Sequence, residues 1–485
     1  MLRPHTLIVS LLLGTASMCQ AEEAALRAEA ARALRKATAF FCEKVSTEGG
    51  YLWRYSDDLQ RREGEGKTDA HTVWLQPPGT PAVGMAFLEA YWNTGDRTYL
   101  DAALAAGDCL VRGQLRSGGW DNSITFDGER RGRYAYRVDA PAPGKSQRNT
   151  TTLDDNKTQS AIELLVHLDA TLGFENEAIH ACALYALEGL LDAQYPNGAW
   201  PQRFSEPAAP AKFPVVKASY PDSWPRAFPK KSYGGYYTFN DNVMGDVVEV
   251  LTLAFSVYKD ERYLRAVERA GDFILLAQMP DPQPAWAQQY DLAMHPAWAR
   301  KFEPPSVTGG ESQGIIRTLI RIYRETGKRR YLDAVPRAVA YLRRSELADG
   351  RLARFYELKT NRPLYFTTDY VLTYSDDDMP THYSFKTGNG LAGLEKAYEQ
   401  ALTWRGADLQ PKPYKRPAVS SRASAQLVSQ VRRVIDGLDD QGRWVEPGRL
   451  RYHGADDPTE RILDCRTFIN NCRLLSRYLA TKPSP

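Results

Sequence analysis

The stretch VYKDERYL (257–264) ends one helical pattern and begins another, and its echoes along the chain decide the fold. Upstream, AVGMAFLEAY (82–91) sets Val83, Ala86, Phe87, Ala90 and Tyr91 on one face at helical spacing. The turn NTGD (93–96) follows, and a second helix starts near Tyr99-Leu100, runs to about Gln114 and gives way to Gly118-Gly119-Trp120. The same order recurs after VYKDERYL with Gln278 and Trp286, and again as ETGKRRYL (325–332) with Gly350 and Leu352. Residues 158–200 form another unit, ending in QYPNGAW, without the Tyr-Leu pair. A helix over about 23–46 precedes these units. Two more, near 387–401 and 421–436, precede Gly442-Arg443-Trp444, and a helical stretch at 459–480 closes the chain.

A helical hairpin cannot bury its apolar face alone, so such units must pack on one another. The expected fold is all-α, an α/α toroid of about five to six hairpins, with an open solenoid as the other arrangement. The loop ends also rhyme, as WRY (53–55), WPQRF (200–204), WAQQY (286–290) and LARFY (352–356), as if gathered around one mouth. The longest loop, Phe204 to Tyr236, carries Pro207, Pro210, Pro214, Pro221, Pro225 and Pro229 with Lys212, Lys217, Lys230 and Lys231. Helical units continue on both sides of it, so it reads as a lid rather than a domain boundary.

Composition bounds the function. Residues 1–21 have the form of a secretory signal, with Arg3, the apolar run LIVSLLL (7–13) and a small-residue end at Ala21, leaving 22–485 as one domain. A secreted or periplasmic location follows. The net charge of +3 points to neither nucleic acid nor a membrane surface, and no later apolar run is long enough to span a bilayer. Cys42, Cys109, Cys182, Cys465 and Cys472 fall at irregular spacing, mostly within helical patterns, and read as buried thiols. There is no GxSxG or HExxH, and the histidines do not cluster.

Acids and amides do cluster. TLDDNKT (152–158) places Asp154, Asp155 and Asn156 just before a helix, and YTFNDNV (237–243) does the same with Asn240, Asp241 and Asn242. Helix capping explains one such side chain per helix. Three in a row, twice, in adjacent units, also suits hard oxygen ligation of Ca²⁺, and spacing leaves both readings open. Asp376-Asp377-Asp378 reads as a solvated charge run. Trp200, Arg203, Trp286 and Arg354 lie near the unit-end loops, where aromatic faces can stack on sugars and guanidinium forks can hold carboxylates; packing between hairpins is the other reading.

The strings TLDDNKT, NGAWPQRF (197–204), YTFNDNV, WARKFEPPSVTGGES (298–312) and LARFYELKTNRPLYF (352–366) together resemble the pectic acid lyases of polysaccharide lyase family ten, over roughly residues 150–370. The resemblance implies calcium-assisted β-elimination on polygalacturonate, an acidic polysaccharide, by a monomer. It places metal contacts at Asp154 and Asp241 and the catalytic base at Arg300. Asp155, Asn156, Trp200, Arg203, Asn240, Arg354 and Lys386 are the expected substrate contacts. Two departures stand out. Thr368-Asp369 replaces an Arg-Asp pair of the family, and THYSFKTG (381–388) replaces an arginine-rich stretch, leaving Lys386 as the nearby cation. A glycoside hydrolase using paired carboxylates on the same toroid is the alternative.

Overall fold

A computed structural model describes residues 5–141, 146–208, 213–416 and 421–483. Arg3, Pro210 and Lys212 of the sequence reading lie outside these residues. Fourteen α-helices are described: α1 (His5–Phe40), α2 (Thr80–Thr94), α3 (Arg97–Gly113), α4 (Gly128–Arg131), α5 (Lys157–Thr171), α6 (Glu177–Ala193), α7 (Val243–Tyr258), α8 (Glu261–Ala277), α9 (Gly309–Thr326), α10 (Arg330–Asp333), α11 (Val335–Arg344), α12 (Leu391–Thr403), α13 (Ala425–Asp436) and α14 (Cys465–Leu479).

They form two concentric layers of an α/α toroid. In the inner layer α14, α2, α5, α7, α9 and α12 pack side by side in that order. Helices α3, α6, α8 and the α10–α11 pair each return along the outside of the inner helix that precedes them. Burial follows the layer. Helix α5 is buried around most of its circumference, including Thr158, Gln159 and Ser160, whereas outer α8 buries one stripe from Tyr263 through Ala266, Val267, Ala270 and Ile274 to Ala277. The expected hairpins are therefore present, and the last is completed by the two ends of the chain, since α14 packs against α1.

Each repeat is locked by the residues that rhyme in the sequence. The indole N–H groups of Trp120, Trp200, Trp286 and Trp444 each donate, at 2.8 Å, to a carbonyl of the preceding outer helix: Leu110, Leu190, Ile274 and Val434. The glutamine at the end of the outer helix ties its own loop to the next hairpin. Gln194 donates to the carbonyls of Gly198 and Ala266, both at 3.0 Å, and Gln114 does so to Gly118 and Cys182 at 2.9 Å. Gly198, at φ 94°, lies so close to α8 that a Cβ there would come within 2.0 Å of the Arg269 carbonyl, so the turn of QYPNGAW requires glycine.

The connections that lead into α5, α7 and α9 lie at one end of the toroid, with the N-termini of those helices. They pair as short antiparallel ribbons that the period-based reading did not foresee: Thr151-Thr152 with Arg203-Phe204, and Tyr237-Thr238 with Gln289-Tyr290. A four-stranded sheet joins Arg54–Ser56 and Arg62-Glu63 to Glu446-Pro447 and Arg461–Asp464. The described part of the long loop expected as a lid is fastened at several points. Phe213 stacks on Tyr195 at 3.8 Å, Ala218 N–H donates to Leu276 O at 2.7 Å, and Trp298 Nε1 donates to Pro225 O at 2.9 Å. At the opposite end the described residues 404–416 reach back over the toroid, with Tyr414 hydroxyl 2.9 Å from His167 Nδ1 on α5. Cys109, Cys182, Cys465 and Cys472 are buried free thiols and Cys42 is half-buried and free, as read from the sequence. No described helix is long and apolar enough to cross a membrane.

The pins carry a measurable share of stability. Tyr290 hydroxyl donates to Ala277 O at 2.6 Å and accepts Ala287 N–H at 2.7 Å, all three groups buried. Tyr290→Phe strands both backbone groups, and urea unfolding should show a loss of about 2–4 kcal/mol with an unchanged m-value.

Candidate active site

Two turns of the same shape deliver the acids. After each ribbon a threonine hydroxyl accepts the N–H two residues on: Thr152 from Asp154 at 3.3 Å, Thr238 from Asn240 at 3.0 Å. One 3-10 turn follows in each case, over Asp154–Asn156 and Asn240–Asn242. Its last two residues are left-handed: Asp155 and Asn156 at φ 49° and 58°, Asp241 and Asn242 at φ 47° and 59°. Consecutive non-glycine residues in that region are strained, and the surroundings must hold them there. The turn rotates the side chains away from the helix ends, so no side chain caps α5 or α7. That corrects the capping reading for both clusters.

The carboxylates turn toward each other instead. One oxygen from each of Asp154, Asp155 and Asp241 lies within 4.8 Å of the others. Gln202 Nε2 donates to Asp154 Oδ1 at 2.7 Å, and Asn240 Nδ2 donates to Asp241 Oδ2. Lys157, buried at the first position of α5, sets its ammonium 3.3 Å from both Asp154 Oδ2 and Asp155 Oδ2. Burial first, and then the charges of Asp155 and Asp154, push the Asp241 carboxyl up to about 8, although Arg300 is near enough to pull it down. Asn240 is 2% exposed, and its Oδ1 has no hydrogen-bond partner among the described residues. Three carboxylates beside an orphaned amide oxygen, with neither sulfur nor imidazole, form a donor set for a hard divalent cation.

A cleft of about 560 Å³ opens beside Asp241, between α7 and α9, and Glu311 and Arg354 line it as well. Arg354 Nη1 pairs with Glu311 at 3.0 Å and its Nε donates to Ser384 O at 2.7 Å. Arg300 Nη2 pairs with the buried Glu303 at 2.5 Å, and Glu303 Oε1 also accepts the Tyr383 hydroxyl at 2.9 Å. Burial alone would lower the Arg300 guanidinium. The Glu303 hydrogen bond and charge outweigh it and hold Arg300 well above its ordinary value.

The structure thus brings Asp154, Asp155, Asp241, Arg300 and Arg354 to one region, and Asn156 follows Asp155 in the same turn. Arg203 is exposed on the ribbon facing Thr152. Other expectations need correction. Trp200 is fully buried with its indole N–H used inside the repeat, so it has no face for a sugar. Asn240 is buried and its amide N–H group bonds to Asp241, so it orients that acid, with its Oδ1 left beside the cluster. Lys386 is committed to Asp376 and to Asp349, the latter at 3.5 Å, away from the acids. Thr368, in the place of the expected arginine, donates to Asp378 at 3.0 Å, and the run Asp376–Asp378 spreads over separate partners as a solvated loop would. Sequence reasoning gave no role to Lys157 or Gln202, although both stand in the quoted strings. Glu303 stands three residues after Arg300 in the same quoted string, and that spacing was the available signal for their pairing.

The fold is that of the α/α-toroid enzymes, and a family match supports one that acts on polysaccharides. Residues 135–351, a little under half of the chain, match the family model described as pectic acid lyase; four of the five strings lie within that match, and LARFYELKTNRPLYF (352–366) begins just after it. Among solved structures, a mutant family 10 polysaccharide lyase from Cellvibrio cellulosa in complex with trigalacturonic acid is 22% identical, covering 61% of this chain and 92% of that one, with a TM-score of 0.45. A D-mannose isomerase is 13% identical over 93% of this chain and 96% of that one, with a TM-score of 0.44. Cellobiose 2-epimerase from Spirochaeta thermophila is 15% identical over 70% and 75%, with a TM-score of 0.40. No curated protein matches.

The proton on Asp241 ties the site to stability. Its folded value is raised from an ordinary 3.8 to about 8, so the stability linked to that proton is whole below the ordinary value and is lost as pH rises through the folded one. Urea midpoints followed from about pH 5 to 9 should fall less steeply in Asp241→Asn than in the parent protein.

Proposed function

We propose that the chain is a secreted lyase that cleaves polygalacturonate by calcium-assisted β-elimination, exported by the signal at residues 1–21. The observation that carries this reading is the convergence of Asp154, Asp155 and Asp241, from two adjacent repeats, beside the guanidinium groups of Arg300 and Arg354. The donor set and the orphaned Asn240 oxygen suit calcium, which Asp154, Asp155 and Asp241 would hold. When bound, calcium supplies a positive centre for the uronate carboxylate, easing loss of the neighbouring C5 proton.

The chain's own residues do the rest. The two strained turns hold the carboxylates at fixed separation, so little reorganisation is needed when charge develops. Arg354, with Glu311 behind it, presents a cation to the cleft. Arg300 is the residue for which the resemblance implies proton abstraction, but its pairing with Glu303 favours the charged guanidinium, which has no lone pair to offer. We assign it to the substrate's carboxylate, where it offsets the charge that builds as the C5–H bond breaks. A solvent water takes the C5 proton, the electron pair forms the C4–C5 double bond, the C4–O bond breaks, and the departing oxygen takes a proton back from water.

A hydrolase reading draws on a different observation. Asp241 retains its proton near neutrality beside Asp154, and the oxygens of the cluster lie within 4.8 Å, close to the ~5–5.5 Å spacing of retaining carboxyl pairs. The products separate the two. Incubation with polygalacturonate and calcium should yield ultraviolet-absorbing unsaturated ends and stop on chelation; saturated reducing ends alone would decide for hydrolysis.

The role of Arg300 is separately testable. Arg300→Ala should lower kcat/KM about 10²-fold or more. Glu303→Gln should reduce activity across the pH range without moving the alkaline limb. A profile displaced to lower pH would instead make Arg300 the proton acceptor.

A further inference from the structure

The ammonium group of Lys157 is a second cation inside the acid cluster. Its side chain is 1% exposed, and its acceptors among the described residues are Asp154 Oδ2 and Asp155 Oδ2, each at 3.3 Å. A well-fitted ammonium–carboxylate pair closes to about 2.7–2.9 Å, so the lysine is held between the two acids without a tight bond to either. It cannot leave for solvent, because its backbone is the first residue of α5 and its stem is buried. A divalent ion coordinated by Asp154, Asp155 and Asp241 would therefore share two ligands with a fixed positive charge.

We infer that Lys157 is a built-in counter-cation that keeps affinity for the free divalent ion low, so that the ion is retained chiefly when a substrate carboxylate joins its shell. The inference rests on the calcium reading above and adds a residue to it. In the protein alone, three carboxylates and one ammonium face the ion. Once an acidic polymer is present, its carboxylate restores the negative charge that Lys157 cancels. The cluster is thereby biased toward ion and polyuronate arriving together, and a neutral glycan, lacking that carboxylate, gains nothing from the ion. Lys157 and the ion would repel each other across a few ångströms, with the lysine closed off from solvent, so removing one charge moves affinity by about an order of magnitude or more.

The test is isothermal titration of the full chain with calcium chloride alone. Lys157→Met should bind Ca²⁺ about tenfold or more tightly than the parent, and Lys157→Arg, which keeps the charge, within about threefold of it. Lys157→Gln, which keeps hydrogen-bonding capacity and loses the charge, guards against misfolding of the methionine variant. Its melting temperature should rise more on adding Ca²⁺ than the parent's does. Equal or weaker binding in the folded neutral variants overturns the inference. If the parent still forms unsaturated product only with calcium, that result leaves the proposed function standing. Absence of Ca²⁺ binding in every variant, together with absence of calcium-dependent product, overturns both.

Discussion

Four indole N–H groups, each bonded to a carbonyl of the outer helix before it, fix how every hairpin of this type hands the chain to the next. A helix pair with an apolar stripe has no stability of its own, and its neighbours determine where it sits. The tryptophan, the helix-end glutamine and the glycine of the turn turn a loose packing preference into a set geometry. Two of the inner helices, α5 and α7, are then presented side by side by the same ribbon and turn. A catalytic centre assembled from two such starts inherits its precision from that repetition.

The centre departs from the rest of the repeat in one respect, the pair of left-handed residues at each acid turn. An ordinary capped start would spend the aspartates on backbone N–H groups and point them along their own helices. The left-handed turn gives up the cap; the Thr152 and Thr238 hydroxyls accept N–H groups of the distorted backbone, and Gln202 donates to the Asp154 carboxylate. Burial and then the crowding of three carboxylates make Asp241 hold its proton, and a lysine is buried among the acids. Stability is conceded at the same place where chemistry is concentrated.

How much of this was legible in the sequence depends on the length scale of the signal. Hairpins have a period, and Val83, Phe87 and Tyr91 or Tyr263 and Val267 announce it. Two-residue ribbons such as Thr151-Thr152 have none, because alternation needs more than two residues to appear. The acid turns were visible as clusters but not as conformations, since Asp and Asn are favoured both at helix caps and in left-handed turns. Trp200 was misplaced for a related reason. A tryptophan after Asn-Gly suggests an exposed loop, and only the helix it follows reveals the carbonyl waiting for its N–H. Arg300 was found by resemblance, but its charge state is set by Glu303 and by burial, and burial is a property of the assembled fold.

The first and last helices complete a single hairpin, α1 against α14, and the sheet joining Arg54–Ser56 to Arg461–Asp464 seals the same seam. During synthesis α1 and α2 emerge long before the segment that covers them. Their apolar faces stay open while some four hundred residues are added, an interval in which such surface invites aggregation. A chain threaded across a membrane before folding would meet that hazard after release, with every helix available at once. The ring architecture thus favours post-translational assembly, in which the tail of the polypeptide is as necessary to its beginning as any neighbour in sequence.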